Sequence, residues 1–228
     1  MYKWKGTELS TKGIIVEKKP TISKGKKKIE TYDIPGRNGF LSIDTGVYEP
    51  FEVSLECHLD TSVANLDEVK AFLDGYGTLQ FDNDRQYTAI INNSIPFEVV
   101  ATKFRSFIIQ FLVNPIAEST TETTYSVGSS PTTFTISDTY TDIYPTIEIK
   151  AASNMQIVIN NTTFKLTGIN STKTYTLDCK NQEITDNDGN NAASLMSGDF
   201  PKLINGTNRV VYSGTKTTFN IKYRKTYF

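Results

Sequence analysis

DIPGRNGFLSID, Asp33 to Asp44, carries one strand into a turn and another strand out of it, with Pro35, Gly36, Asn38 and Gly39 gathered between the two. Asn38-Gly39, flanked by alternating apolar residues, predicts a type I′ hairpin, because both central positions of that turn need a positive φ. Pro35 and Gly36 stiffen the entry. The stretch offers no chemistry to an enzyme, and its interest is architectural.

Working outward, strands are predicted at Gly13 to Lys18, Lys28 to Ile34, Phe40 to Asp44 and Tyr48 to Leu59. In Phe51 to Leu59 the odd positions are apolar and the even ones polar, the period of a half-buried strand, so Cys57 points inward and His58 outward. A helix is expected next: Asn65 caps it, Glu68 supports the cap, and Leu66, Val69, Phe72, Leu73 and Tyr76 form an apolar stripe before Gly75 and Gly77. Strands resume at Thr78 to Phe81, Gln86 to Asn92, Phe97 to Thr102 and Phe104 to Val113. In the last of these Phe107, Ile109, Phe111 and Val113 share one face, while Ile108 and Leu112 make the other apolar too. Such a strand calls for cover on both sides, from the helix or from a neighbouring subunit.

Asn114-Pro115 closes this half, and residues 119 to 141 are Ser or Thr at 14 of 23 positions, which places a boundary near 115 to 122. Two domains are expected, 1–116 and 117–228. Beyond the boundary short strands alternate with turn signals at Thr133 to Ile136, Thr146 to Lys150, Met155 to Ile159, Thr162 to Thr167, Thr174 to Cys179, Asn208 to Tyr212 and Thr217 to Arg224. Asn160-Asn161 and Asp188-Gly189 serve as turns, and this spacing predicts a β-sandwich.

The formal net charge of −1 gives no global reason to expect nucleic acid or anionic lipid, but the charge is unevenly placed. Residues 1 to 28 hold nine Lys against Glu8 and Glu17, whereas residues 29 to 114 hold five basic and thirteen acidic side chains. Lys24, Lys26, Lys27 and Lys28 are expected at a hairpin tip. There they either stay solvated and guard an exposed edge, or meet the acidic body of a neighbouring copy or DNA in a channel.

Cys57 and Cys179 lie far apart without metal-ligand spacing, so both read as core thiols in a reducing cytoplasm. No apolar leader and no membrane-length apolar run is visible. His58 is the only histidine, and it shares a polar face with Glu52, Ser54 and Glu56, a poor setting for a triad; with Glu56 it supplies two metal ligands, too few for a site. In Asp186-Asn187-Asp188-Gly189-Asn190 the glycine stands fourth rather than sixth, which favours an ordinary Asx turn over a calcium loop. Asp82 and Asp84 form a carboxylate pair with no groove to place it. Trp4, Tyr140, Tyr144, Tyr212 and Tyr223 could stack on sugars or pack at the core or its rim.

The order of features resembles the distal tail protein family of long-tailed bacteriophages. The residues that carry it are Ile34-Pro35-Gly36-Arg37-Asn38-Gly39, the helix Leu66 to Leu73, Leu79-Gln80-Phe81 and Tyr87-Thr88-Ala89. In the second half they are Pro145 to Ile149, Leu177-Asp178-Cys179 and Asp199-Phe200-Pro201-Lys202-Leu203, leading through Gly206 and Asn208 to Tyr223-Arg224. The resemblance implies a mainly β protein: an N-terminal β-sandwich-like domain with one short helix and a hairpin arm, and a C-terminal galectin-like β-sandwich. It implies a homohexameric ring at a virion tail tip, made in the host bacterial cytoplasm, with an axial channel through which DNA passes. The implied partners are further copies of the chain, the major tail protein, the tape-measure protein, a tail-associated fibre or lysin protein, and receptor-binding proteins. No enzyme activity, cofactor, metal or membrane is implied. Candidate interface residues are Arg37, Asn38 and Phe40 at the turn, Lys24, Lys26, Lys27 and Lys28, and Ile108 and Leu112. Arg37 either caps its own turn or bonds a carboxylate or carbonyls across an interface. A carbohydrate-binding module for host cell-surface glycans and a cell-wall hydrolase are the competing functions.

Overall fold

The computed structural model of the chain describes residues 2–81 and 84–228. The chain divides into two compact units, Met1–Glu118 together with Phe228, and Ser119–Tyr227. The structure is mainly β, with one α-helix among the described residues.

The first unit contains β1 (Lys3–Trp4), β2 (Thr7–Glu8), β3 (Ile14–Val16), β4 (Lys27–Asp33), β5 (Phe40–Tyr48), β6 (Phe51–Asp60), α1 (Leu66–Phe72), β7 (Tyr76–Gln80), β8 (Arg85–Ile91), β9 (Glu98–Ala101), β10 (Phe104–Val113) and β11 (Ala117–Ser119). Its main sheet runs β2-β1-β7-β8-β10-β6-β3, with β9 also on β10 and β11 on β8. The alternation in β6 sets the register: Val53, Leu55, Cys57 and Leu59 are buried against Phe107, Ile109 and Phe111 of β10. Full burial of one such aliphatic side chain stabilises by about 1.5–3 kcal/mol. Asn93 completes this strand between β8 and β9, accepting from the Gln110 N–H at 2.9 Å and donating to the Ile108 carbonyl at 2.9 Å.

The helix starts where its cap predicts, with Asn65 Oδ1 accepting from the Asp67 N–H at 3.0 Å. It ends sooner than the apolar stripe suggested. Gly75 has φ +70°, and Tyr76, 65% exposed, opens β7. The helix serves the inner face of the sheet only. Trp4, fully buried, donates Nε1–H to the Phe72 carbonyl at 3.2 Å and lies 5.0 Å from the Phe111 ring.

β4 and β5 pair with each other and form a separate two-stranded sheet. The turn joining them differs from the expected one. Asn38 is not among the residues with positive φ; Gly36, at φ +81°, is, and the Arg37 N–H donates to the Ile34 carbonyl at 3.1 Å. Pro35 and Gly36 thus occupy the central positions of a type II turn, which Pro at the second position and Gly at the third favour. The lysine cluster is also displaced from its expected place. Asp33 pairs with Phe40 beside the turn and Lys27 pairs with Tyr48 at the other end, so the lysines mark the root of the arm and not its tip.

The second unit contains β12 (Thr123–Ser126), β13 (Thr132–Ile136), β14 (Thr146–Ala151), β15 (Met155–Ile159), β16 (Thr162–Leu166), β17 (Tyr175–Asp178), β18 (Glu183–Asp186), β19 (Met196–Gly198), β20 (Gly206–Ser213), β21 (Lys216–Tyr223) and β22 (Thr226–Tyr227). Two five-stranded antiparallel sheets, β12-β21-β14-β17-β18 and β13-β20-β15-β16-β19, form the expected sandwich. Ile147, Ile149, Leu177 and Ile221 of one sheet meet Ile157, Ile159, Phe164, Leu166 and Val210 of the other in a fully buried core. Asn208 is fully buried and anchors the loop before β20: its Oδ1 accepts from the Ile204 N–H at 2.9 Å and from Asn160 Nδ2 at 2.9 Å, while its Nδ2 donates to the Ile204 carbonyl at 2.9 Å.

Candidate assembly interface

The arm's cross-strand pairs decide which side chains share a face, because residues directly opposite in an antiparallel pair project together. Glu30 faces Ile43 and Tyr32 faces Leu41, so one face carries Tyr32, Leu41 and Ile43, exposed by 50%, 43% and 48%. Its one acid, Glu30, accepts from the Tyr32 hydroxyl at 2.9 Å. The other face pairs Ile29 with Asp44, Thr31 with Ser42 and Asp33 with Phe40. The arm is amphipathic, and the chain itself covers neither face: the structure leaves every residue of β4 after Lys27 exposed.

The root is built more firmly. Gly25 is buried, and a Cβ there would collide with Pro115 and meet the Glu49 carbonyl oxygen at 2.9 Å. The Glu49 N–H donates to the Lys26 carbonyl at 2.7 Å. Lys24 holds its ammonium 5.5 Å from the Tyr48 ring and 4.9 Å from the Phe228 ring. Lys27 is ion-paired with Asp44; the hydrogen bond between them raises the lysine pKa and holds the carboxyl below the ordinary aspartate value. Lys26 and Lys28 extend exposed side chains, and Arg37 and Asn38 lie exposed at the tip. Phe40 is 63% exposed.

Ile108 and Leu112 lie on the outer face of the main sheet, away from the helix. Their neighbours follow from the ladder: Leu112 stands between Ile90 and Glu52, Ile90 beside Tyr76, and Ile108 beside Glu56. Ile108 is 46% exposed, and Ile90 40%. The expectation that this strand is covered on both sides thus meets a face that the chain leaves open. Tyr32, Leu41, Ile43, Ile90 and Tyr76 went unrecognised as surface residues, since an alternating pattern does not say whether its apolar face meets the chain's own core or another molecule.

The side chains weighed above for chemistry are dispersed through the fold. His58, on β6 between β10 and β3, holds Nε2 2.7 Å from Glu17 Oε1, and its buried Nδ1 has no hydrogen-bond partner among the described residues. Cys57 and Cys179 are free and buried, and burial pushes both thiols up to about 12. The Asp186 loop is an Asx turn, with Oδ1 accepting from the Asp188 and Asn190 N–H groups at 2.9 Å each, and the Lys173 ammonium bonds the carboxylate. That bond, with the backbone N–H groups, holds Asp186 well below the usual carboxylate range. Asp82 lies outside the described residues; among those described, no three His, Cys, Asp or Glu residues are grouped to hold a metal ion. No described helix is long and apolar enough to cross a membrane. Of the aromatics, Trp4 and Tyr223 are buried, Tyr212 is tied by its hydroxyl to the Gly128 carbonyl at 2.9 Å, and Tyr140 and Tyr144 are exposed.

Residues 119–227 match the family model described as the siphovirus-type tail component, C-terminal domain. No curated protein sequence matches the chain. Among solved structures, Dit (gp 19.1) of phage SPP1, described as a paradigm of the hub adsorption apparatus in phages infecting Gram-positive hosts, superposes with a TM-score of 0.75 at 13% identity, covering 100% of this chain and 98% of that one. A chain of the phage p2 baseplate in its activated conformation superposes with a TM-score of 0.51 at 8% identity, covering 95% and 92%. Residues 119–227, just under half of the chain, are thus similar to the siphovirus-type tail component C-terminal domain, and over its whole length the chain shares its fold with Dit of phage SPP1.

Proposed function

We propose that the protein is a non-enzymatic ring component of a phage or prophage tail tip. In this reading six copies join the tail tube and tape measure to the baseplate or receptor-binding apparatus, around a channel that DNA traverses. The family domain and the fold shared with a phage hub protein support a structural role in the tail. The observation that carries assembly is the arm. A two-stranded hairpin with both faces in water is marginal by itself, and it becomes stable when a third layer covers it. Closed cyclic symmetry uses one patch on each side of every subunit, and the first unit offers two unlike apolar surfaces.

Negative-stain imaging and native mass spectrometry of the purified chain test this reading. A six-membered ring with a central hole is the expected result; a monomer at every concentration, alone and with tail-tube protein added, would overturn it. A second reading, glycan binding by the second unit, rests on exposed Tyr140 and Tyr144, the latter with the Lys202 ammonium 5.4 Å from its ring. Binding of the full chain to a glycan array, lost in Tyr144→Ala, would favour it.

A further inference from the structure

We propose that Asn38 is a site of spontaneous deamidation, a modification that turns the tip of the arm more acidic and that the other Asn-Gly pair of the chain resists. Asn-Gly occurs twice, at Asn38-Gly39 and at Asn205-Gly206. Glycine is the neighbour that permits the reaction, because without a Cβ its backbone nitrogen can be approached closely. The Gly39 nitrogen attacks the side-chain carbonyl carbon of Asn38. The new C–N bond closes a succinimide ring, the bond to the side-chain nitrogen breaks, and that nitrogen leaves as ammonia with the proton given up by Gly39. Water then opens the ring at either carbonyl, which yields aspartate or isoaspartate, so solvent supplies the only co-reactant. The inference does not depend on the ring reading.

The two pairs share a sequence and differ in what holds them. At the tip Pro35 and Gly36 make the turn, the Arg37 N–H closes it on the Ile34 carbonyl, and the ladder resumes only at Phe40 opposite Asp33. Asn38-Gly39 is thereby left outside both. Asn38 is exposed, and Gly39, at φ +86°, has nothing within 4 Å of where a Cβ would stand. Asn205 is exposed as well, but its backbone is fastened on both sides. Gly206 opens β20 opposite Ile136, and the buried Asn208 side chain bonds the Ile204 N–H and carbonyl at 2.9 Å each and the Gly206 carbonyl at 3.2 Å. Closing the succinimide requires the backbone at the asparagine to rotate; an uncovered tip permits that, and a loop pinned to a packed sheet opposes it.

The test follows the full-length chain, kept folded in mildly alkaline buffer at physiological temperature and sampled over days. Peptide mapping by mass spectrometry, with fragmentation that distinguishes isoaspartate from aspartate, should show Asn38 converting at least about tenfold faster than Asn205. In urea, where neither site is held, the two rates should converge. Gly39→Ala should slow the reaction at Asn38 by about tenfold. Ion exchange should resolve the aged wild-type chain into a more acidic species that aged Asn38→Gln lacks. Equal rates at the two sites of the folded chain, or Asn205 converting first, would overturn the assignment. So would an Asn38 amide that survives in the folded chain while the chain in urea loses it.

Discussion

The arm and the C-terminal sandwich are built from the same material, short antiparallel strands with alternating apolar residues, and they end in opposite conditions. In β15 the residues Met155, Ile157 and Ile159 are buried to within 1% by a second sheet; in β5 Leu41 and Ile43, at the same spacing, stay 43% and 48% exposed because no second layer faces them. Strand pattern makes a hairpin, and a facing layer makes a stable one. The contrast assigns the two regions different work. The sandwich closes its core with its own two sheets, while the arm leaves both of its faces exposed.

Its sharpest test is a pair of truncations. Phe164 is fully buried between the sheets, and Phe164→Ala should cost about 3–5 kcal/mol through lost burial and the cavity left behind. Thermal denaturation followed by near-UV circular dichroism would show the drop; a change below about 1 kcal/mol would mean that this core is not the packed element it looks to be. Asn208→Ala comes next. It leaves the Ile204 N–H and carbonyl without their partner, each costing about 1–3 kcal/mol if still buried, and should lower the melting temperature without altering the oligomer.

How far this contrast could be read from residues alone depends on the range of the signal. The period of two from Phe51 to Leu59 is local and unambiguous, and the cap at Asn65 needs only its own neighbours. Two turn signals lie within six residues of the opening stretch, and Pro35-Gly36 prevails over Asn38-Gly39, as the Arg37 to Ile34 hydrogen bond shows. Tyr76 fits the helical stripe by spacing, yet Gly75 turns the chain first. The candidate interface was half legible. Ile108 and Leu112 stood out as apolar residues on the wrong face, but Asn93, which stitches β10 beside them, carries no pattern at all. Exposure depends on whether a second layer exists, and that is decided far away in sequence.

Two ion pairs sharpen the comparison by pH. Asp186 and Asp44 each hold a lysine, and both carboxyls lie below the ordinary value of 3.8. A carboxyl depressed in the folded state adds stability that is present above its unfolded pKa and fades as pH falls through its folded one. The side chain of Asp186 is 8% exposed, and that of Asp44 is 51%. At neutral pH Asp186→Asn should therefore lower the melting temperature, and the difference from wild type should shrink below pH ~4. Asp44→Asn should do little at either pH, since an exposed pair is screened by water and salt. Equal shifts in the two variants would contradict the difference in burial.

The smallest expected effect is the most informative about the arm. Leu41→Ala removes an apolar side chain from a strand, a change that in the sandwich would be costly, yet in the monomeric chain it should move stability by no more than about 0.5 kcal/mol. The reason is that Leu41 already faces solvent, so truncation takes little area out of contact. Amide hydrogen exchange gives the matching backbone measurement. Amides of β4 and β5 should exchange by local opening well ahead of β15 and β20, whose ladders are covered by a packed core. In the assembled form the arm should slow toward the sandwich, and Leu41→Ala should then weaken association although it left the monomer unchanged. An arm as protected in the monomer as the sandwich, with Leu41→Ala destabilising it, would mean that the hairpin needs no partner, and the contrast between the two regions would fall.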